Sequence, residues 1–255
     1  MSIARGIGFT AALALALTAS GAVAAVQFSA DTVQTMPQGQ SLSGKRFVGE
    51  GKERIEASHG GQSMVQIVDG VQGVSYLILP GQKTYTEMRT PPAPKTGPGT
   101  DPCAGMQGVT CRKLGGEPVN GRAATKWEMT GGPAAQGKTI TSWVDDERGV
   151  PLRMQYSDGG SLESRLVGKE QHEGRNVEKW EMAISRPGQQ PVKMVQWLDP
   201  ELGGVTVKQQ GPDGAGFELK NIQVGPQAPE LFSVPAGYQK VTPPQAGQQG
   251  APAPR

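Results

Sequence analysis

Apolar and polar residues alternate at every second position along most of this chain. Short alternating runs are separated by Gly, Pro and Asp-Gly pairs, the pattern of half-buried strands joined by tight turns. Residues 28–35 form the first run, and residues 46–48 and 53–57 flank Gly49-Glu50-Gly51. Residues 63–68 follow the turn His59-Gly60-Gly61, and Asp69-Gly70 is a hairpin signal before residues 74–79. Pro80-Gly81 ends that strand, and residues 83–88 make the next. No window keeps the i, i+3, i+4, i+7 spacing of an amphipathic helix over three turns. The one helix-like piece is a single turn at residues 228–232, begun by Pro229. The pattern predicts a mainly β, antiparallel fold with little helix.

The second half is written twice. Gly121-Arg122-Ala-Ala-Thr-Lys126-Trp127-Glu128-Met129 recurs as Gly174-Arg175-Asn-Val-Glu-Lys179-Trp180-Glu181-Met182. Trp143-Val-Asp145-Asp-Glu147 then matches Trp197-Leu-Asp199-Pro-Glu201, and Asp158-Gly159 matches Asp213-Gly214. Each copy reads as four strands with turns between. Side chains on a strand point alternately to opposite faces, so Thr125, Trp127 and Met129 share one face, with Lys126 and Glu128 on the other. Leu152, Met154 and Tyr156 alternate with Arg153 and Gln155, and Trp180 and Met182 stand opposite Glu181. Met194, Gln196 and Leu198 share one face while Val195 and Trp197 take the other. Such alternation fits a sheet with one wet and one covered face.

Other segments set the boundaries. Residues 1–25 read as a secretory signal peptide: Arg5, an apolar run over residues 7–17 too short to span a bilayer, then Gly21-Ala-Val-Ala-Ala25. No later stretch is apolar enough to span, so an exported chain is expected, most simply in a bacterial periplasm. Residues 26–89 make an N-terminal β half, and residues 90–112 a Pro-rich loop that is either a linker or an elaborated surface loop. Residues 113–241 are the duplicated C-terminal β half, and residues 242–255 a low-complexity tail expected to be disordered. Cys103 and Cys111 are the two cysteines. Export places them where disulfides persist, and so short a loop adds at most about 2–3 kcal/mol. Metal ligation wants three or four ligands, and neither His59 nor His172 is near in sequence.

Charge and motifs exclude more than they suggest. With 25 Lys plus Arg against 23 Asp plus Glu, there is no basic stripe for nucleic acid and no polybasic lipid-binding cluster. No nucleophile elbow, phosphate loop or zinc-helix motif is present, so no catalytic residue, metal or cofactor is expected. Glu128 and Glu181 are the one pair to weigh as a carboxylate dyad, but their alternation with Trp and Met places them toward solvent beside Lys126 and Lys179. The four tryptophans Trp127, Trp143, Trp180 and Trp197 occupy equivalent repeat positions. They read either as core packing or, with Met129 and Met182, as the lining of an apolar ligand cavity.

Phe28-Ser-Ala-Asp31-Thr-Val-Gln34, Ser43-Gly44-Lys45, Met64-Val65-Gln66-Ile67 and Leu79-Pro80-Gly81-Gln82-Lys83-Thr84-Tyr85 resemble exported bacterial proteins of the lipoprotein-carrier (LolA/LolB-like) superfamily. More narrowly they resemble an uncharacterised branch described as a domain of unknown function. Val119-Asn120-Gly121-Arg122, Trp127-Glu128 and the closing Leu231-Phe232-Ser-Val234-Pro235-Ala-Gly237-Tyr238 fit the same pattern, so it covers residues 26–241. The resemblance implies an antiparallel sheet curved into an open half-barrel. Its carriers hold lipoprotein acyl chains on the concave face, under helical lids. This chain shows no lid helices and adds a duplicated half with a disulfide loop, and no carrier residue maps onto a position here. The expectation is a non-catalytic periplasmic binding protein with an apolar concave face for a lipid or lipoprotein acyl chain. The alternative is a structural or interaction module contacting another envelope protein through sheet edges or the Pro-rich loop.

Overall fold

A computed structural model describes residues 26–37, 39–89, 97, 101–104, 106, 108–132 and 137–242, apart from the His59 side chain. The expected signal peptide, most of the Pro-rich loop and the expected tail beyond Thr242 lie outside the described residues. Strands form where the alternation predicts them. They are β1 (Phe28–Thr35), β2 (Ser41–Gly49), β3 (Lys52–His59), β4 (Gln62–Asp69), β5 (Val74–Leu79) and β6 (Thr84–Arg89) in the first half. The second half supplies β7 (Val109–Gly116), β8 (Ala124–Gly131), β9 (Ile140–Asp145), β10 (Pro151–Tyr156), β11 (Ser161–His172) and β12 (Arg175–Ser185). It continues with β13 (Val192–Asp199), β14 (Val205–Gln210), β15 (Gly216–Val224) and the short β16 (Gln239–Lys240).

All sixteen join one curved sheet that does not close, in the order β16-β6-β5-β4-β3-β2-β1-β15-β14-β13-β12-β11-β10-β9-β8-β7. The open half-barrel is therefore present. β1 pairs with both β2 and β15, so the two halves are one sheet. β7 begins at Val109, which puts Cys111 on a strand at the sheet edge rather than in the loop.

The duplication is a triplication in structure. Glu50-Gly51, Asn120-Gly121 and Glu173-Gly174 each have two successive positive φ angles, 34° and 75°, 51° and 79°, 49° and 75°. That is the tight hairpin turn whose twist suits the flanking strands. A base follows each turn: Lys52, Arg122, Arg175. An aspartate closes the next strand but one: Asp69, Asp145, Asp199. Each aspartate Oδ1 accepts two backbone N–H groups of the turn beyond it, from Val71 (3.0 Å) and Gln72 (2.8 Å), from Glu147 (2.9 Å) and Arg148 (3.3 Å), and from Glu201 (2.8 Å) and Leu202 (3.3 Å). Its Oδ2 faces the base: Lys52 at 3.1 Å, and Arg122 and Arg175 through Nε. Two residues before each aspartate stands a buried apolar side chain: Ile67, Trp143, Trp197.

The sheet splays at two equivalent places. β10 and β11 share three register pairs, as do β14 and β15. Beyond the first splay, Val119, Ala124, Trp143 and Leu152 close on Trp180, Leu166 and Leu198. Beyond the second, Trp197, Val205, Val207 and Leu202 close on Leu219, Phe28 and Ala30. Each group of strands is thus covered by the next. Beyond β6 the described sheet adds just the two-residue β16, and residues 228–241 cross back to cover the first group. The predicted turn is a 3-10 segment, Pro229–Phe232, with Pro at its start. Phe232, Leu231, Val234 and Tyr238 pack on Val65, Ile67 and Ile78. Arg54 Nη1 donates to the Leu231 carbonyl at 3.0 Å, and β16 pairs parallel with β6. Burying Phe232 contributes about 1.5–3 kcal/mol to holding this strap.

Candidate functional site

The register divides the six expected ligand-facing residues between two faces. Lys126 pairs with Trp143, Trp143 with Arg153, Arg153 with Glu163, Glu163 with Ala183 and Lys179 with Trp197. Directly paired residues project to the same side, so Trp143 and Trp197 share a charged face. Trp127, Met129, Trp180 and Met182 occupy the other, apolar face.

On the charged face each tryptophan lies between cations. Lys126 and Arg153 stand 4.7 and 5.5 Å from the Trp143 ring centre, and Lys179 and Lys208 each stand 5.1 Å from that of Trp197. These are cation–π distances, and both rings are buried. Glu117 and Glu170 complete the two sites. Lys126, at 3.0 Å, and the Trp143 indole beside it hold the Glu117 carboxyl below its ordinary value. The Trp197 N–H, then Lys179, does the same for Glu170. Both sites are filled by their own side chains and leave no room for a ligand against the rings. Around them the surface is a lattice of ion pairs, including Arg112–Glu128 at 2.8 Å and Arg165–Glu181 at 2.7 Å. Glu128 on β8 and Glu181 on β12 are four strands apart, about 19 Å at ~4.8 Å per strand. A carboxylate dyad works within about 5–9.5 Å, so these two do not form one.

The apolar face differs. A row of direct pairs crosses six strands, from Trp127 through Ser142, Met154, Leu162 and Ile184 to Val192. Met129 beside Ile140, and Met182 beside Met194, widen it. Trp127, Met129, Met154, Leu162, Met182, Ile184 and Met194 are all half-buried. Trp180 is buried at the splay beneath the Arg122 and Arg148 guanidiniums, with its N–H given to Glu178 at 3.2 Å. Met154, Leu162, Ile184 and Met194 belong to this face although the repeat does not single them out. Strand parity alone marks them, once the bulges at Leu166/Gly168 and Pro151/Arg153 are known.

The Cys103–Cys111 disulfide, with Cα atoms 5.9 Å apart, lies at one end of the same face, because Cys111 pairs with Met129. The Asp101 carboxylate lies near both sulfurs, but its Oδ1 accepts the Cys103 N–H at 2.8 Å. Sulfurs joined to each other are not thiolate ligands. His172 lies 3.5 Å from Glu218 on the charged face. Two shallow pockets lie off the apolar face, one around Asp31, Lys45 and Asn221, the other around Arg122, Asp145 and Glu147. Among the described residues, no helix is long and apolar enough to cross a membrane.

No family model matches the chain. No curated protein matches it by sequence. Among solved structures it is similar to a domain of a putative outer membrane lipoprotein-sorting protein from Vibrio parahaemolyticus, at 12% identity and TM-score 0.38, over 83% of this chain and 91% of that one. It is similar to a LolA superfamily protein from Nitrosomonas europaea at 10% identity and TM-score 0.39, over 82% and 90%. A DUF1329 family protein from Desulfovibrio piger matches at 14% identity and TM-score 0.32, over 82% and 90%. Likeness at this level carries no function across.

Proposed function

We propose that this chain is an exported, non-catalytic binding protein that takes a hydrophobic or lipid-like ligand on its apolar face, read as the concave side of the half-barrel. One observation carries the proposal. The sheet puts most of its ion pairs on one face, Arg46–Glu53 and Arg148–Glu178 being exceptions, and leaves a half-buried band of Trp, Met, Leu and Ile on the other. Contiguous apolar surface of that kind marks a binding site more often than chance. Six strands at about 4.8 Å spacing make a band about 24 Å wide. A single acyl chain spans half of a ~30 Å bilayer core, about 15 Å, and fits within it. Four methionines in the band supply an unbranched, polarisable surface that adapts to a flexible chain. In this reading Trp127, Met129 and Met182 face the ligand. Trp143, Trp180 and Trp197 build the wedges that hold the strands apart.

Native mass spectrometry of the chain, purified without detergent and paired with lipid extraction, tests this. A bound mass that extracts as lipid is expected, and Ile184→Asp should lose it while keeping the far-ultraviolet spectrum of the parent. A clean apo mass that takes up neither phospholipid nor lipopeptide would overturn the proposal. The interaction-module reading would then lead. It rests on β7, an open edge whose Leu114 is exposed. It ranks second because Arg112, Lys113 and a bulge at Leu114 are features that protect an edge from pairing.

A further inference from the structure

The methionines are not scattered. Met64, Met88, Met129, Met154, Met182 and Met194 stand on described strands, and register places every one on the apolar face. None of them points to the charged side. Met129, Met154, Met182 and Met194 fall in the proposed ligand band, and Met182 and Met194 are direct cross-strand partners. All four are half-buried. Their thioethers are therefore reachable by a small oxidant, in the place where polarity matters most.

We infer that these four methionines are a reversible oxidation site that switches the apolar face off. The inference rests on the proposed ligand reading. A peroxide supplies the oxygen. The thioether sulfur attacks one peroxide oxygen, the O–O bond breaks, an S–O bond forms, and the second oxygen leaves as water. Sulfur loses the two electrons that peroxide gains. The sulfoxide is polar and chiral where the thioether was apolar and flexible, and a methionine sulfoxide reductase reverses it, its thiols taking up the oxygen as water and closing to a disulfide. A chain bound across the band would bury each sulfoxide without a hydrogen-bond donor. A desolvation loss of that class weakens binding about tenfold or more per group. The cysteines do not compete for oxidant, since both are already in the disulfide.

The test uses the full chain and dansyl-undecanoic acid as the apolar probe. Affinity is measured before and after hydrogen peroxide, with peptide mass spectrometry at each methionine and circular dichroism to confirm that the fold persists. The expected result is at least a tenfold loss of probe affinity as the four band methionines oxidise, recovered on treatment with sulfoxide reductase and thiol. Saturating probe should slow their oxidation but not that of Met88, which is 43% exposed and stands on β6, eight strands along the sheet from β13. A chain carrying Met129→Leu, Met154→Leu, Met182→Leu and Met194→Leu, compared with its own untreated state, should keep its affinity through peroxide. Unchanged affinity with the four sites oxidised would sink the switch and leave the ligand reading standing. The switch also falls if the four stay reduced in the folded chain while Met88 oxidises. Absence of probe binding before any oxidant would overturn the ligand reading itself, and the switch with it.

Discussion

Replacing Asp199 by Ala removes three interactions from a side chain with no solvent exposure. The N–H groups of Glu201 and Leu202 lose their acceptor, about 1 kcal/mol each. Arg175, only 20% exposed, keeps Glu201 at 3.3 Å and loses its buried partner. Breaking a buried pair from one side costs about 3–5 kcal/mol, which already includes much of the hydrogen-bond loss. Asp199→Ala should therefore destabilise by about 3–5 kcal/mol, a melting shift of about 6–20 °C for a chain this size. Asp199→Asn keeps the Oδ1 acceptor and should cost about 1–3 kcal/mol. Asp145 is as buried and has the equivalent partners, the N–H groups of Glu147 and Arg148 and the Arg122 guanidinium, so Asp145→Ala should match Asp199→Ala. Asp69→Ala should cost less, because Lys52 is a third exposed and can turn to water. Urea titration reads these values as midpoint shifts at constant slope. Losses under about 1 kcal/mol for both Asp199→Ala and Asp145→Ala would refute the view that this bonded corner is what holds each module's turn.

Phe232→Ala should cost about 3–5 kcal/mol and make residues 228–241 the first site of limited proteolysis, read by mass spectrometry; an unchanged cleavage pattern would show that the strap does not depend on this anchor. Burial tends to raise the Asp69 carboxyl, but the Gln72 N–H, Lys52 and the Val71 N–H outweigh it and hold it below its ordinary value. Its contribution to stability is therefore complete above the unfolded value near 3.9 and is lost as pH falls through the lower folded value. Asp69→Asn should flatten the acid limb of a stability–pH profile below about pH 4, and an identical limb would contradict that assignment. Reducing Cys103–Cys111 opens a loop of sequence separation 8 and should cost about 2.5 kcal/mol by chain entropy. Calorimetry with and without reductant checks it, and a loss above about 5 kcal/mol would mean that the pair also orders the sheet edge.

Strand positions and the duplication are legible in the sequence because both rest on local physics: alternation along a strand and turn residues between strands. The third module is not. Its turn and aspartate survive as Glu50-Gly51 and Asp69, but Ile67 stands where the other copies carry Trp and Lys52 where they carry Arg. Once those letters change, nothing but geometry relates the copies. The faces of Trp127 and Met129, or Trp180 and Met182, are correctly paired by alternation within each strand. Relating one strand to another needs the register, and bulges shift the register in ways that no periodicity records. The strap is legible as a Pro-led turn, but its role is not. It acts through a bond between Arg54 and Leu231, 177 residues apart.

The pairing of β1 with β15 has a kinetic consequence. Asp31 receives Asn221 from 190 residues downstream, and the Ile67 face waits for Phe232. A chain made from its N-terminus must therefore carry β1 to β6 with one strand edge and one apolar face bare until almost everything else has been synthesised. Contacts of such separation are formed late and slowly. Pulsed hydrogen exchange during refolding should find the β3–β4 amides gaining full protection no earlier than those of β15. The first half of this protein is its most exposed nascent intermediate, and a chaperone would have to shield that half for most of the chain's synthesis.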